Sequence, residues 1–426
     1  MADALVEGGF AQAGYTQVSI DDCWSNGRDP NTRRLRADPD RFPHGIPYLV
    51  QYMEQRNLTL GIYADSGRKT CANFEGTYGY EELDAETFIQ WGVSYVKMDA
   101  CNMPDPTFRT RMYTRFGDAL QQAQRKTGIG LIYSCSWAVY FGKNESTRPL
   151  TGLYHEAGCN TWRNFHDIGN SWKSLYSIIM HWADYWSDLQ KKPSGTFNDA
   201  DMLLVGDMSN DHGGLSVEQA RLQFGFWAMI ASPLFIGADV RSMSPVYRDI
   251  LLNQRVIAIN QDVSGRQADC VLGCSGAPAE SNTGKMAAST NLQVWFKSVT
   301  TTTTTSNKAS MAIAFFNLNN GSTPNNQSAT LNITYQFSAR RSQIGECFDL
   351  WSASTVDLCN QGRGGSSEYW EIRVVRVDDD TDFDGNTKDD PMVHVSVAAL
   401  NMPPTCHRLL RIDSHSDDQI QPLLFS

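Results

Sequence analysis

From the amino terminus to about Gln261, short apolar runs alternate with longer amphipathic segments, which is the βα rhythm of a parallel sheet or barrel. Strands are expected at Thr16 to Asp21, Thr59 to Tyr63, Ser94 to Met98, Gly130 to Ser134, Asn160 to Asn164, Asp201 to Leu204 and Leu234 to Ile236. Seven βα units round toward the eight of a closed (β/α)8 barrel. Helices fill the gaps. The clearest are Ser171 to Gln190 and the segment opened by Ser216, whose Gln219 three residues later predicts a capping box.

After Gln261 the texture changes to runs such as LQVWFKSV and MAIAFFNL between clusters of Gly, Asn, Ser and Thr, so an all-β second domain is expected. A chain of 426 residues exceeds the usual size of one core. The division is therefore 1–261 for the barrel and 262–426 for an antiparallel β-sandwich with an acidic loop and tail. Thr300 to Thr305 reads as a hairpin loop. Arg376 to Asp390, RVDDDTDFDGNTKDD, lacks the glutamate that closes an EF-hand loop and reads as a solvated acidic loop.

The charge balance of 36 Lys+Arg against 47 Asp+Glu, net −11, argues against a nucleic-acid partner. The longest apolar stretch, Phe224 to Ala238, is interrupted by Ser232 and Pro233 and is too short to span a bilayer. Ten separated cysteines without a repeated CxxC pair favour disulfides over zinc, and sequons at Asn57, Asn144, Asn320, Asn326 and Asn332 point to the secretory route. The opening MADALVEGGFAQAGY nonetheless reads as the start of an amphipathic helix, without the apolar centre of a signal peptide.

Carboxylates collect where the expected strands end: Asp21, Asp22, Asp65, Asp99, Asp167, Asp199, Asp201 and Asp239. In a βα barrel those ends face one cavity. Helix capping explains any single aspartate, but it is a weaker account of so many together. Paired carboxylates with aromatic neighbours, among them Trp24, Tyr63, Trp137 and Tyr140, suggest glycoside hydrolysis. The eight histidines are scattered, so no metal site is expected, and no cofactor is implied.

IDDCW, GIYADSGRKTC, YVKMDACN, YSCSW, WRNFHDI and NDADML stand in this order, and together they closely resemble glycoside hydrolase family 27, the α-galactosidases and α-N-acetylgalactosaminidases. More loosely, the second domain resembles that family's carboxy-terminal β-sandwich. The resemblance implies a retaining exo-glycosidase, with Asp99 as nucleophile and Asp167 as acid and then base, two carboxyls roughly 5 Å apart. It implies a sugar pocket formed by Asp21, Asp22, Trp24, Tyr63, Cys71, Lys97, Ser136, Val139, Tyr140, Arg163, Asp201 and Met202. It also implies disulfides Cys71–Cys101 and Cys135–Cys159. Lysosomal or secreted localisation and a homodimer follow from the same resemblance.

Specificity turns on CSWAVY. Within the family, glutamate after the cysteine with leucine three residues later favours galactose, whereas serine followed by alanine makes room for an N-acetyl group. Ser136 with Val139 therefore leans to α-N-acetylgalactosamine, with α-galactose also accepted. A main α-galactosidase activity is the alternative.

Two departures stand out. FNDADM replaces WNDPDM, putting Phe197 and Ala200 where the family has tryptophan and proline. The family's first strand, with its GW-type motif, precedes the segment matching Met1, so the barrel is expected to lack that strand and to leave two unpaired edges. Cys23, whose usual partner lies in that strand, is expected as a free thiol, and Cys406 is a second leftover once Cys270–Cys274 and Cys347–Cys359 are provisionally paired. A further alternative is then a catalytically weak, lectin-like relative.

Overall fold

The computed structural model describes residues 1–103, 108–141, 144, 146, 155–209, 214–277, 291–302 and 307–318, and beyond these the backbone of the strands named below. The side chains of 137, 138, 141, 301, 302 and 307–310 also lie outside the description. The amino-terminal part is a six-stranded parallel sheet in sequential order: β1 (Gln17–Ile20), β4 (Thr59–Asp65), β5 (Tyr95–Asp99), β6 (Ile132–Cys135), β7 (Thr161–Arg163) and β8 (Phe197–Asp199). Between them run α2 (Gly45–Glu54), α3 (Glu81–Trp91), α4 (Arg109–Thr127) and α5 (Trp172–Leu189). Beyond β8 come α6 (Val217–Met229), α7 (Pro245–Leu251) and α8 (Gln254–Asn260), while α1 (Ala2–Glu7) opens the chain.

The strand sequences explain their positions. In β4, six consecutive residues from Leu60 are buried, as in a parallel strand covered on both faces. In β5 the pleat sorts by chemistry. Val96 and Met98 join Phe88 of α3 and Tyr113 and Phe116 of α4 in one apolar cluster, while Tyr95 and Lys97 line the central cavity. Gly61 of β4 fits only because it has no side chain: a Cβ there would lie 2.3 Å from Ser19 Oγ.

The expected strand positions hold with two changes. The sixth strand is Phe197–Asp199, ahead of the expected Asp201 to Leu204, because Asp201 takes a left-handed φ of 80° that no strand tolerates. The expected seventh strand, Leu234 to Ile236, is reduced to a single parallel bridge between Ile236 and Leu203. Among the described residues the sheet remains open on its other side, where β1 pairs only with β4 and its outer edge lines a cavity of about 650 Å³. A short hairpin of β2 (Ser25–Arg28) and β3 (Leu35–Ala37), not expected from the sequence, follows β1. The long helix is present with Ser171 as its cap, and Ser216 and Gln219 form the expected capping box.

The carboxy-terminal part contains two antiparallel sheets. One comprises β9 (Asp269–Leu272), β10 (Leu292–Thr302), β11 (Asn307–Asn317), β13 (Cys347–Asp349), β14 (Ser354–Thr355) and β18 (His407–Asp413). The other comprises β12 (Leu331–Arg340), β15 (Gly365–Ser366), β16 (Trp370–Val377), β17 (Met392–Met402) and β19 (Gln421–Pro422). Thr300 to Thr302 extend β10 and pair with Ala309, Lys308 and Asn307 instead of belonging to the loop, in keeping with the strand preference of β-branched threonine. The rest of that loop, 303–306, and the acidic segment from 378 to 390 lie outside the described residues.

Lys297 of β10 joins the two parts. It is 1% exposed, and its Nζ donates to the carbonyls of Ala228 and Ile259, near the ends of α6 and α8. Burial pushes its pKa down to about 7, against the attraction of Asp262. Between about pH 7 and 10.5 the unfolded chain thus holds a proton that the folded one lacks, and stability rises with pH across that window. Lys297→Met is expected to cost about 1–3 kcal/mol, from two carbonyls that lose a buried donor, that of Ala228 keeping the Ala231 N–H. Thermal melts at pH 7 and 10 check this: the gap between wild type and variant should widen at pH 10.

Candidate active site

The carboxyl ends of the strands carry the expected cluster. Asp99 closes β5 and is half-buried. Its Oδ1 accepts hydrogen bonds from the Tyr140 hydroxyl at 2.5 Å and the Ala100 N–H at 2.9 Å. Among the described residues its Oδ2 accepts only a longer one, from the Tyr63 hydroxyl at 3.3 Å, and lies 3.6 Å from Cys71 Sγ. Burial, then the negative charge of Asp99, pushes the pKa of both phenols far above the usual value, so both remain donors. The two Asp99 oxygens are thus unequal: Oδ1 is well bonded and Oδ2 is the freer.

Asp21 and Asp22 follow β1. Asp21 is exposed and pairs with Lys97 at 3.0 Å, while Asp22 accepts the N–H of Ala72 at 2.9 Å. Burial works against the charge of Lys97, but Asp21 outweighs it and raises the pKa. Ser136, 6% exposed, and the half-buried Val139 and Tyr140 belong to one 3-10 turn, Ser136–Phe141. The disulfides Cys71–Cys101 and Cys135–Cys159 are present, as is Cys270–Cys274. Cys23 is free and half-buried.

Arg163, at the end of β7, reaches Asp201 and Asp167, each at 2.5 Å. Burial opposes its charge, but Asp201, Asp199 and Asp167 outweigh the penalty and raise its pKa. Asp201 is over-determined in its strained backbone. Its N–H donates to Asp199 Oδ1, its carbonyl accepts from Trp227 Nε1, and its Oδ2 also accepts the Ile168 N–H. The side chain of Asp167 is 97% exposed, so it is solvated and, among the described residues, held by Arg163.

The cavity connects much of this. From Asp21, Lys97, Ser136, Arg163, Asp201 and Met202 it descends along the outer edge of β1 toward α1 and α8. Asp99, Tyr63, Tyr140 and Asp167 stand beside its wall rather than on it. Trp24 corrects an expectation. It is 5% exposed, packed edge-on against Phe88 and Trp91, and donates its indole N–H to the Tyr63 carbonyl. It braces Tyr63 and presents no face for a sugar. The Trp137 side chain lies outside those described.

Of three further groups at the site, Asp65 and Asp199 read from sequence as strand-end carboxylates without an assigned role, and Tyr95 is not singled out. Asp199 and Tyr95 line the cavity floor, and Asp65 lies buried behind Asp99. Tyr95 was legible in principle, because period two from Asp99 through Lys97 leads to it. Among the sequon asparagines, Asn57 and Asn144 are exposed, Asn332 falls within β12, and Asn320 and Asn326 lie outside the described residues. Among the described residues no helix is long and apolar enough to cross a membrane.

Comparison with known proteins gives a consistent picture. Residues 1–262 match the Melibiase_2 family model, described as alpha galactosidase A. Human alpha-galactosidase A is 41% identical over 269 residues, 63% of this chain and 60% of the relative. Rat alpha-N-acetylgalactosaminidase is 42% identical over 271 residues, 63% of this chain and 62% of the relative. The chain thus spans about three fifths of the length of these relatives. Among solved structures, alpha-galactosidase I from Mortierella vinacea superposes with a TM-score of 0.68 at 23% identity, over 98% of this chain and 92% of the other, and so shares the fold.

Proposed function

The chain belongs to the Melibiase_2 family, glycoside hydrolase family 27, and from that premise we propose that it is a retaining exo-glycosidase acting on terminal α-linked N-acetylgalactosamine, with α-galactose also accepted. The observation that carries this reading is the unequal Asp99 carboxylate, in a site where carboxyls outnumber the cations Lys97 and Arg163. A negative field of this kind disfavours anionic substrates and stabilises the positive charge that develops on a sugar ring.

In the first displacement Asp99 Oδ2 attacks the anomeric carbon while Asp167 protonates the departing oxygen, releasing the aglycone and leaving a glycosyl ester on Asp99. In the second, Asp167 takes a proton from water, the water oxygen bonds to the anomeric carbon, and the Asp99 carboxylate departs. Asp167 is solvent-covered before substrate binds, and a bound sugar would exclude that water and take hydrogen bonds from Arg163. In this reading Lys97 and Asp21 contact sugar hydroxyls. The reading carries with it a glycan partner, a lysosomal or secreted compartment and a homodimeric assembly.

Support for the N-acetyl preference is steric. Ser136 lines the cavity, and its short side chain leaves space that a glutamate would fill. Kinetics on matched aryl α-GalNAc and α-Gal glycosides test it: kcat/KM is expected to favour the former, and a strong preference for α-Gal would establish the galactosidase reading instead. Ser136→Glu with Val139→Leu is expected to move the ratio toward galactose by about 10–200-fold.

A further inference from the structure

Asp65 ends β4 opposite Asp99 in the parallel ladder and is 0% exposed. Its Oδ1 accepts the Gly67 N–H at 2.6 Å, its Oδ2 accepts the Cys101 N–H at 2.9 Å, and its carbonyl accepts both the N–H and the hydroxyl of Thr77. Gly67 makes this closeness feasible, since a Cβ there would lie 2.8 Å from the Asn102 backbone. A carboxyl oxygen from Asp65, another from Asp99 and the sulfurs of Cys71 and Cys101 all lie within 4.8 Å of one another. The sulfurs are bonded to each other, so the only ionisable members are the two carboxyls.

The titratable groups facing Asp65 are Asp99 of β5, Asp22 after β1, Tyr63 of β4, Tyr113 of α4 and Tyr140. All are acids, and among the described residues Asp65 has no ion-pair partner. We propose that Asp65 is a positioning residue for the nucleophile, a buried second carboxyl whose charge beside Asp99 sets how readily Asp99 leaves the sugar. This rests on the reading of Asp99 as nucleophile.

Two carboxylates at this separation do not both ionise readily. Burial pushes Asp65 up to about 7, over the opposing pull of the Gly67 and Cys101 N–H groups and with a further push from Asp99. Below that pH, Asp99 carries its charge alone. Above it, the electron pair released when the ester breaks returns to Asp99 beside a second negative charge, so Asp99 becomes a slower leaving group. The first displacement consumes the Asp99 charge and is not slowed. The consequence is a split between the two steps.

Steady-state kinetics from pH 4 to 9 test this on an aryl α-GalNAc glycoside with a good leaving group, which makes the second step limiting. In the wild type, kcat is expected to fall by roughly tenfold between pH 6 and 8.5, with KM falling in parallel and kcat/KM held. Asp65→Asn cannot ionise and should lack that fall. Parallel profiles for the two proteins, or a fall in kcat with unchanged KM, overturn the proposal. Should the variant not fold, acid-quenched wild type provides the second measurement: the fraction of protein bearing covalent sugar during turnover should be higher at pH 8.5 than at pH 5. Equal fractions overturn this proposal alone, whereas turnover with no covalent sugar at either pH overturns the nucleophile and the proposal together.

Discussion

Asp99→Ala is expected to lose about 10⁴-fold or more in kcat on α-GalNAc glycosides while keeping its fold, because no other group can supply the covalent intermediate. The fold should persist for a physical reason. Asp99 is half-buried and makes no ion pair among the described residues, so its loss strands no opposite charge, although two hydroxyls and one N–H lose this acceptor. Asp167→Ala should lose less, about 10²–10⁴-fold, with the loss concentrated on substrates whose leaving groups need a proton. Assays on aryl glycosides of graded leaving-group acidity, with circular dichroism as the folding control, separate the two roles. An Asp99→Ala protein with near-normal turnover would remove the basis of the mechanism.

Arg163→Met is expected to damage stability and activity together. Arg163 is 8% exposed, Asp201 8% and Asp199 9%, and the guanidinium is the cation those two carboxyls share. Removing it strands buried negative charge next to a backbone already held at φ 80°, for a cost of about 3–5 kcal/mol at neutral pH. The sign of its pH dependence follows. Stranded carboxyls have raised folded-state pKa values, so the variant binds more protons folded than unfolded and regains stability as the pH falls toward about 4. Urea unfolding at pH 7.5 and pH 5 should show a large gap from wild type at the first and a smaller one at the second. A constant gap would mean that Arg163 contributes packing rather than charge.

Much of the barrel and its site was legible in the sequence for identifiable reasons. Runs such as GIYAD and YVKMD are largely buried and end in aspartate, so they announce both a parallel strand and the carboxyl at its end. Ser216 and Gln219 announced a helix start through a hydrogen-bond pair local to four residues. What escaped depends on contacts between distant segments. Trp24 has the composition of a sugar platform, but Phe88 and Trp91 claim its ring. Asp65 resembles any strand-end aspartate until β5 places Asp99 beside it. The sixth strand shifted because Arg163, Trp227 and Ile168 together hold Asp201 in a backbone conformation that sequence pattern does not reveal.

Peptide mapping by mass spectrometry after brief turnover of an activated α-GalNAc glycoside, quenched in acid, tests the central claim most directly. The account predicts one added N-acetylhexosamine, on the peptide containing Asp99 and on that residue, and its disappearance in Asp99→Ala. A sugar mapped to a different carboxylate, or sustained turnover with no protein-bound sugar, would contradict it.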